Sequence, residues 1–75
     1  MRLTVNGEPR DTEARTLAAL WAAETEHLEP EHLEPRSRRG FAIALNGEVV
    51  RAARWDETGI DEGDRVEIIR AVAGG

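Results

Sequence analysis

The sequence contains no cysteine and no lysine, and all ten basic residues are arginine. Without cysteine, the chain cannot form disulfides or perform thiolate chemistry on its own side chains. Without lysine, its only ordinary amine is the N-terminus, so it cannot be extended into lysine-linked chains. No apolar run approaches the roughly 20 residues of a membrane span, and the N-terminal segment lacks the features of a secretory signal. We therefore expect a cytoplasmic protein.

Acidic residues outnumber basic ones by fifteen to ten. The net charge of -5 and the pI near 4.9 argue against nucleic acid and anionic membranes as partners, because both require clustered positive charge. A single domain of 75 residues buries only about 60% of the surface that its unfolded chain exposes. Little volume remains for an enclosed catalytic pocket. This favours a protein that other enzymes act upon, or a binding module, over a free-standing enzyme.

The N-terminal segment has the pattern of a β-hairpin. Leu3 and Val5 alternate with polar residues, which predicts a half-buried strand. Asn6-Gly7 is a strong hairpin-turn signal, and a second strand should return over residues 8–14. Because Pro9 cannot donate a ladder hydrogen bond, we expect this second strand at an edge of the sheet.

A single helix is predicted after this hairpin. Thr16 is a suitable N-cap for a helix that runs to about Glu26. Leu17, Leu20 and Trp21 share one face at the spacing i, i+3, i+4, as in a helix packed on a core. Glu24 and Glu26 oppose the macrodipole at its C-terminal end, so the helix should fray there.

The second half of the chain is predicted to be mainly strands. They are expected at 41–45, at 48–50 after the turn Asn46-Gly47, and at 65–72 after the turn 61–64, with a short helical crossing within 51–60. We place Trp55 in the core in preference to a partner contact. Asp61, Glu62 and Asp64 surround Gly63 and are interpreted as turn formers, not as catalytic carboxylates.

This order predicts an α+β fold: a mixed sheet of four to five strands with one helix across one face. The helix should cover an apolar face formed by Leu3, Val5, Phe41, Ile43, Val66 and Ile68. The chain is expected to be one domain over 1–75, with a charged connector loop at 26–40 and a flexible C-terminal tail at 72–75.

The connector contains the pentapeptide Glu-His-Leu-Glu-Pro twice in tandem, at 26–30 and 31–35. Its prolines prevent a continuous helix, so His27 and His32 lack the fixed spacing of a helical metal-ligand pair. We expect no metal site. Arg36, Arg38 and Arg39 follow and are interpreted as a solvated run that offsets nearby acids, with docking to an acidic partner as the alternative.

The chain ends in Gly74-Gly75, directly after an apolar strand and Ala73. Because glycine has no Cβ, a diglycine tail can enter a channel too narrow for side chains. It also leaves the terminal carbonyl carbon unshielded. A frayed terminus is the plain alternative.

Several motifs along the chain resemble the ThiS-type sulfur carriers of thiamine biosynthesis, which have the ubiquitin-like β-grasp fold. They are Val-Asn-Gly-Glu at 5–8, Thr-Leu at 16–17, Ala-Leu-Asn-Gly-Glu-Val-Val at 44–50, the run 54–69 with Trp55 and Gly63-Asp64, and the terminal Ala-Val-Ala-Gly-Gly. The match covers nearly everything except about residues 26–39, where the duplicated pentapeptide makes the connector longer and more acidic than is usual in the family.

The resemblance implies a carrier cycle in which this chain is a protein co-substrate and binds no cofactor itself. An E1-like adenylating enzyme, using ATP and Mg²⁺, would activate the Gly75 carboxylate, and sulfur from a desulfurase would convert it to a thiocarboxylate. Thiazole synthase would then take the sulfur. Gly74 would permit entry to the enzyme channel, and Arg70, Ala71, Val72 and Ala73 would form the stem that partners bind.

Other functions share these features. A β-grasp carrier for molybdopterin, cysteine or tRNA thiolation would have the same diglycine chemistry. A non-covalent interaction domain, or a modifier joined through Gly75 to lysines of other proteins, is the alternative outside sulfur transfer.

Overall fold

The structure is a computed structural model that describes residues 1–25, 38 and 40–70. It contains strands β1 (Arg2–Val5), β2 (Glu8–Asp11), β3 (Phe41–Leu45), β4 (Glu48–Val50) and β5 (Arg65–Arg70), one α-helix, α1 (Leu17–Thr25), and a 3-10 helix (Ala52–Glu57). The element order matches the prediction, and the short crossing within 51–60 is the 3-10 helix. Within the described ranges, no helix is long and apolar enough to cross a membrane.

The five strands form one mixed sheet in the order β2-β1-β5-β3-β4. β5 is central, parallel to β1 and antiparallel to β3. The two hairpins flank it, and each turns at an Asn-Gly pair whose residues all have positive φ. The predicted α+β fold, with one helix on one face of a mixed sheet, is confirmed.

β2 is an edge strand, as Pro9 predicted, but it ends at Asp11 and not at residue 14. The reason is a local turn: the Thr12 hydroxyl accepts a hydrogen bond from the Ala14 N–H at 3.0 Å. Such side-chain bonds compete with a strand ladder. Ala14 then packs against the core.

Helix α1 begins as the sequence predicts. The Thr16 hydroxyl accepts a hydrogen bond from the Ala19 N–H at 3.1 Å, which satisfies one of the free donors of the first turn. Leu17, Leu20 and Trp21 are all buried. Near the other end, Glu24 pairs with Arg10 of β2 at 3.1 Å, so this carboxylate ties the helix to the sheet edge.

The core lies between α1, the 3-10 helix and one face of the sheet. Its buried apolar residues are Leu3, Val5, Leu17, Leu20, Trp21, Ile43, Trp55, Ile60 and Val66. Trp55 is fully buried, and its indole N–H donates to the Val50 carbonyl at 2.7 Å. The interpretation of Trp55 as a core residue is confirmed.

Arg38, predicted to belong to a solvated run that offsets nearby acids, does pair with an acid, but its side chain is only 32% exposed. Its guanidinium lies over the rings of Trp21 and Trp55, at 5.7 and 5.4 Å from their centroids. It also donates two hydrogen bonds to the Asp56 carboxylate, both at 3.1 Å, and one to the Ala52 carbonyl. Asp56 is 18 residues away along the chain, so composition could not reveal this partner. Arg36, Arg39, His27 and His32 lie outside the described residues.

The Arg38–Asp56 pair should make stability depend on pH. Hydrogen bonds from Arg38 hold the pKa of Asp56 below its ordinary value. A lowered carboxyl pKa stabilises the fold above the unfolded-state pKa of about 3.9, and this is lost as pH falls through the folded-state value. Asp56→Asn should therefore lower the midpoint of urea unfolding at pH 7, and its difference from wild type should shrink towards zero in strong acid. A difference that is independent of pH would contradict the assignment.

Candidate functional site

The predicted functional residues lie at and beyond the C-terminal end of β5. Arg70 is the last residue of this central strand, and it is exposed. The remaining predicted site residues are outside the described part of the chain, so their roles stay predictions; they are Ala71, Val72, Ala73, Gly74 and Gly75. The described structure therefore defines where the tail is attached.

The attachment point is held against the core by an aromatic contact. Arg70 lies opposite Phe41 in the β3–β5 ladder, and its guanidinium is 5.8 Å from the centroid of the Phe41 ring. Phe41 meets Trp21 of α1 edge to face, with 5.5 Å between the centroids. A cation over an aromatic face is attracted by the ring quadrupole. The end of β5 is thus fastened to the layer that contains the helix.

A small depression of about 240 Å³ lies beside this attachment point, lined in part by Asn6, Glu24, Thr25 and Phe41. Glu24 is already paired with Arg10, and the Thr25 hydroxyl donates to the Trp21 carbonyl at 2.8 Å. Among the described lining residues there is thus no nucleophile with a neighbouring base, the arrangement that covalent catalysis needs.

A larger depression of about 500 Å³ lies at the opposite pole, near Met1 and the predicted turn. The turn interpretation is confirmed: the Asp61 N–H donates to the Asp64 carboxylate at 2.7 Å, and Gly63 has a φ of 86°. Five residues of β5 separate this pole from Arg70, which is about 17 Å of strand. In the part of the chain that the structure describes, no three acidic or histidine side chains are grouped as metal ligands.

An exposed apolar stripe on the open face of the sheet was not predicted. We define it as Ala42, Ala44, Val49 and Ile69; Ala42 lies opposite Ile69 and Ala44 opposite Val49. Val49 is 79% exposed and Ile69 is 56% exposed. The sequence did indicate this stripe through the pairs Val49-Val50 and Ile68-Ile69, because adjacent residues of a strand point to opposite faces of the sheet. One side chain of each pair must therefore point away from the core.

The chain is similar to two solved structures of one bacterial protein. The crystal structure of the thiamine biosynthesis protein ThiS from Geobacter metallireducens has a TM-score of 0.73 and 28% identity, with all of both chains covered. The solution structure of a thiamine biosynthesis protein from the same organism has a TM-score of 0.69 and 28% identity, and covers all of this chain and 88% of the other. Comparison with curated protein sequences gave no significant match.

The model of the ThiS family matches residues 3–75, which is nearly the whole chain and includes both terminal glycines. The described mixed five-stranded sheet and its helix match the fold of the Geobacter structure. This chain therefore belongs to the ThiS family.

Proposed function

We propose that this chain is a sulfur carrier of thiamine biosynthesis, with the sulfur held as a thiocarboxylate on Gly75. The observation that carries the proposal is the family match, which continues through the diglycine to residue 75. It is supported by a Geobacter protein that is named for thiamine biosynthesis and is covered completely by this chain.

The chemistry begins with a carboxylate, which is a poor electrophile because its negative charge repels nucleophiles. In the proposed cycle an E1-like adenylating enzyme binds ATP and Mg²⁺. A Gly75 carboxylate oxygen attacks the α-phosphorus and releases pyrophosphate. The outer sulfur of a persulfide, formed from cysteine on a desulfurase, then attacks the carbonyl carbon and displaces AMP to give an acyl disulfide. Two equivalents of a thiol reductant cleave its S–S bond, so the sulfur stays on Gly75 and the thiols leave as a disulfide. A C–S bond replaces the bond to AMP, and the product is a thiocarboxylate, which is a softer nucleophile than the starting group.

This division of labour agrees with the architecture at the end of β5. The described depression beside Arg70 lacks a nucleophile with an adjacent base, so we assign the chemistry to the partner enzymes. This chain is then a co-substrate and not an enzyme. Its contribution is a rigid domain that presents Gly74 and Gly75 on a stem beginning at Arg70, and thiazole synthase is the proposed acceptor of the sulfur.

The apolar stripe is the surface on which we place the partner's contact. Its β5 member, Ile69, immediately precedes Arg70, so the stripe reaches the attachment point. Exposed apolar side chains rimmed by polar residues, here with Glu67 opposite Ala44, are typical of protein interaction sites. A partner that covers the stripe would therefore also be positioned to receive residues 71–75.

Mass spectrometry tests the proposal directly. The chain is incubated with ATP, Mg²⁺, a sulfur source and the adenylating enzyme, and is then cleaved after arginine. Cleavage after Arg70 releases residues 71–75, which contain no methionine or tryptophan whose oxidation would mimic the mass gain. We expect this peptide to show exchange of one oxygen for sulfur, and the exchange should be absent when ATP is omitted.

The result that would contradict the proposal is an unmodified peptide from a reaction in which the same enzyme activates another carrier. The pathway is tested separately, in a strain that lacks this protein. Restoration of growth by added thiazole would support thiamine biosynthesis, and a requirement for a different sulfur-containing product would contradict it.

A further inference from the structure

Both turn asparagines bind the central strand β5 through their side chains, Asn46 at its first residue and Asn6 two residues before its last. Asn46 Oδ1 accepts a hydrogen bond from the Arg65 N–H at 2.8 Å, and its Nδ2 donates to the Asp64 carboxylate at 3.1 Å. Asn6 Oδ1 accepts from the Ile68 N–H at 2.8 Å, and its Nδ2 donates to the Ile68 carbonyl at 3.3 Å. Asn46 therefore holds the start of β5, and Asn6 holds the part nearest the tail.

The Asn6 side chain takes the place of a strand residue. β1 pairs with β5 only at Thr4 and Val5, and the Asn6 N–H adds one bond to the Val66 carbonyl at 2.8 Å. The backbone then turns away, with a φ of 54° at Asn6. A carboxamide offers one acceptor and two donor hydrogens, as a peptide group offers acceptor and donor. The side chain thus extends the ladder by one step, to Ile68.

This step decides how the end of β5 is held. On one side, β3 pairs with β5 as far as Phe41 and Arg70. On the other, the Asn6 amide on Ile68 is the described contact from the first hairpin that reaches closest to Arg70. Without it, the last residues of β5 would be held along one edge only and would sample more orientations relative to the sheet.

We propose that Asn6 is a positioning residue for sulfur transfer: by holding Ile68 it sets the orientation of the end of β5, from which the diglycine tail continues. This inference rests on the proposed function. The Asn6 side chain should raise the fraction of molecules in which the tail leaves the domain in the direction that the adenylating enzyme accepts. Because apparent affinity falls with that fraction, Asn6 should act on KM for the carrier and not on kcat.

The turn conformation alone does not require asparagine at position 6. Asn6 and Gly7 both have positive φ, as in a type I′ turn, and glycine suits either position. Asn6→Gly therefore keeps the turn and removes only the amide. Asn46→Gly is the matched control, because it makes the same change in the other Asn-Gly turn and removes the bonds at the start of β5.

The first measurement is amide hydrogen exchange in the free protein. Asn6→Gly should speed exchange at Ile68 by about tenfold, because the Asn6 Oδ1 that accepts from the Ile68 N–H is lost. Asn46→Gly should leave Ile68 unchanged and speed exchange at Arg65. Unchanged exchange at Ile68 in Asn6→Gly would show that the amide does not hold the strand and would overturn the inference.

The second measurement is the steady-state kinetics of adenylation with each variant as substrate. Asn6→Gly should raise KM about tenfold at constant kcat, since both hydrogen bonds of the Asn6 amide to Ile68 are lost, and Asn46→Gly should change KM less than Asn6→Gly by a clear margin. Equal rises in KM for the two variants would indicate a general loss of stability. An unchanged KM for Asn6→Gly would indicate that Asn6 serves only to form the turn. Either result overturns the positioning role. If the wild-type chain is not adenylated by an enzyme active on another carrier, the proposed function fails, and the exchange data still decide separately whether Asn6 anchors β5.

Discussion

Deletion of Gly75 should abolish sulfur loading while leaving the melting temperature of the domain unchanged. The shortened chain still ends in a glycine carboxylate, but that group is withdrawn by one residue, or roughly 3.3–3.6 Å. Reacting atoms must approach to about 3–3.5 Å, and a misplacement of 1 Å can cost about a hundredfold in rate. We therefore expect loading to fall below detection. Stability should be retained because the buried core lies between Leu3 and Val66.

Deletion of Ala73 is the matched control for this prediction. It shortens the tail by the same one residue but preserves the diglycine end. Both variants are assayed for sulfur in the C-terminal peptide and for thermal unfolding by circular dichroism. If neither variant is loaded with sulfur, the length of the tail limits the reaction. If only the chain without Gly75 fails to load, the identity of the terminal residues limits it. Normal loading of the chain without Gly75 would rule out Gly75 as the site.

Trp55→Ala should strongly lower the melting temperature of the domain. The side chain is fully buried, lies 5.6 Å from Trp21 between ring centroids and donates to the Val50 carbonyl. Truncating a buried tryptophan to alanine costs about 3–5 kcal/mol. A domain of this length has a total stability of roughly 4–11 kcal/mol. The melting temperature should therefore fall by roughly 12–40 °C, taking about 4–8 °C per kcal/mol for a small domain.

Two substitutions calibrate this result. Trp55→Phe keeps an aromatic ring in the core but loses the bond to Val50, so its melting temperature should lie between those of Trp55→Ala and wild type. Val49→Ala removes methyl groups from an apolar residue that is 79% exposed, and it should change stability by no more than about 0.5 kcal/mol. A melting temperature for Trp55→Ala within a few degrees of wild type would show that the core does not depend on this residue.

Much of the fold was predictable because it depends on local chemistry. Pro9 cannot complete a central ladder, so it indicated the edge strand that β2 proves to be. Asn-Gly pairs tolerate positive φ and marked both hairpins. Thr16 offered a cap for the helix, and its hydroxyl accepts the expected bond. Each of these signals depends on a residue's own backbone preferences or on neighbours within four positions.

The candidate site was predictable to a smaller extent. The terminal diglycine could be identified from the sequence, and the ThiS family match includes it. The exposed stripe that contains Val49 and Ile69 was missed, although doubled apolar residues in two strands indicated it. Periodicity can assign two residues to one face of a strand, but it does not reveal which strands become neighbours.

The sequence by itself determined the element order, the two turns and the helix cap, because local sterics and apolar spacing specify these features. The placement of Trp55 in the core followed from its residue type, and the resemblance to the ThiS family followed from motifs along the chain. Only the tertiary structure decided that Arg38 lies over two tryptophans and binds Asp56, and that the Asn6 amide holds Ile68 from 62 residues away. Those contacts join groups whose separation along the chain carries no periodic signal. They form only after the helix and five strands have packed and brought distant donors and acceptors within hydrogen-bond distance.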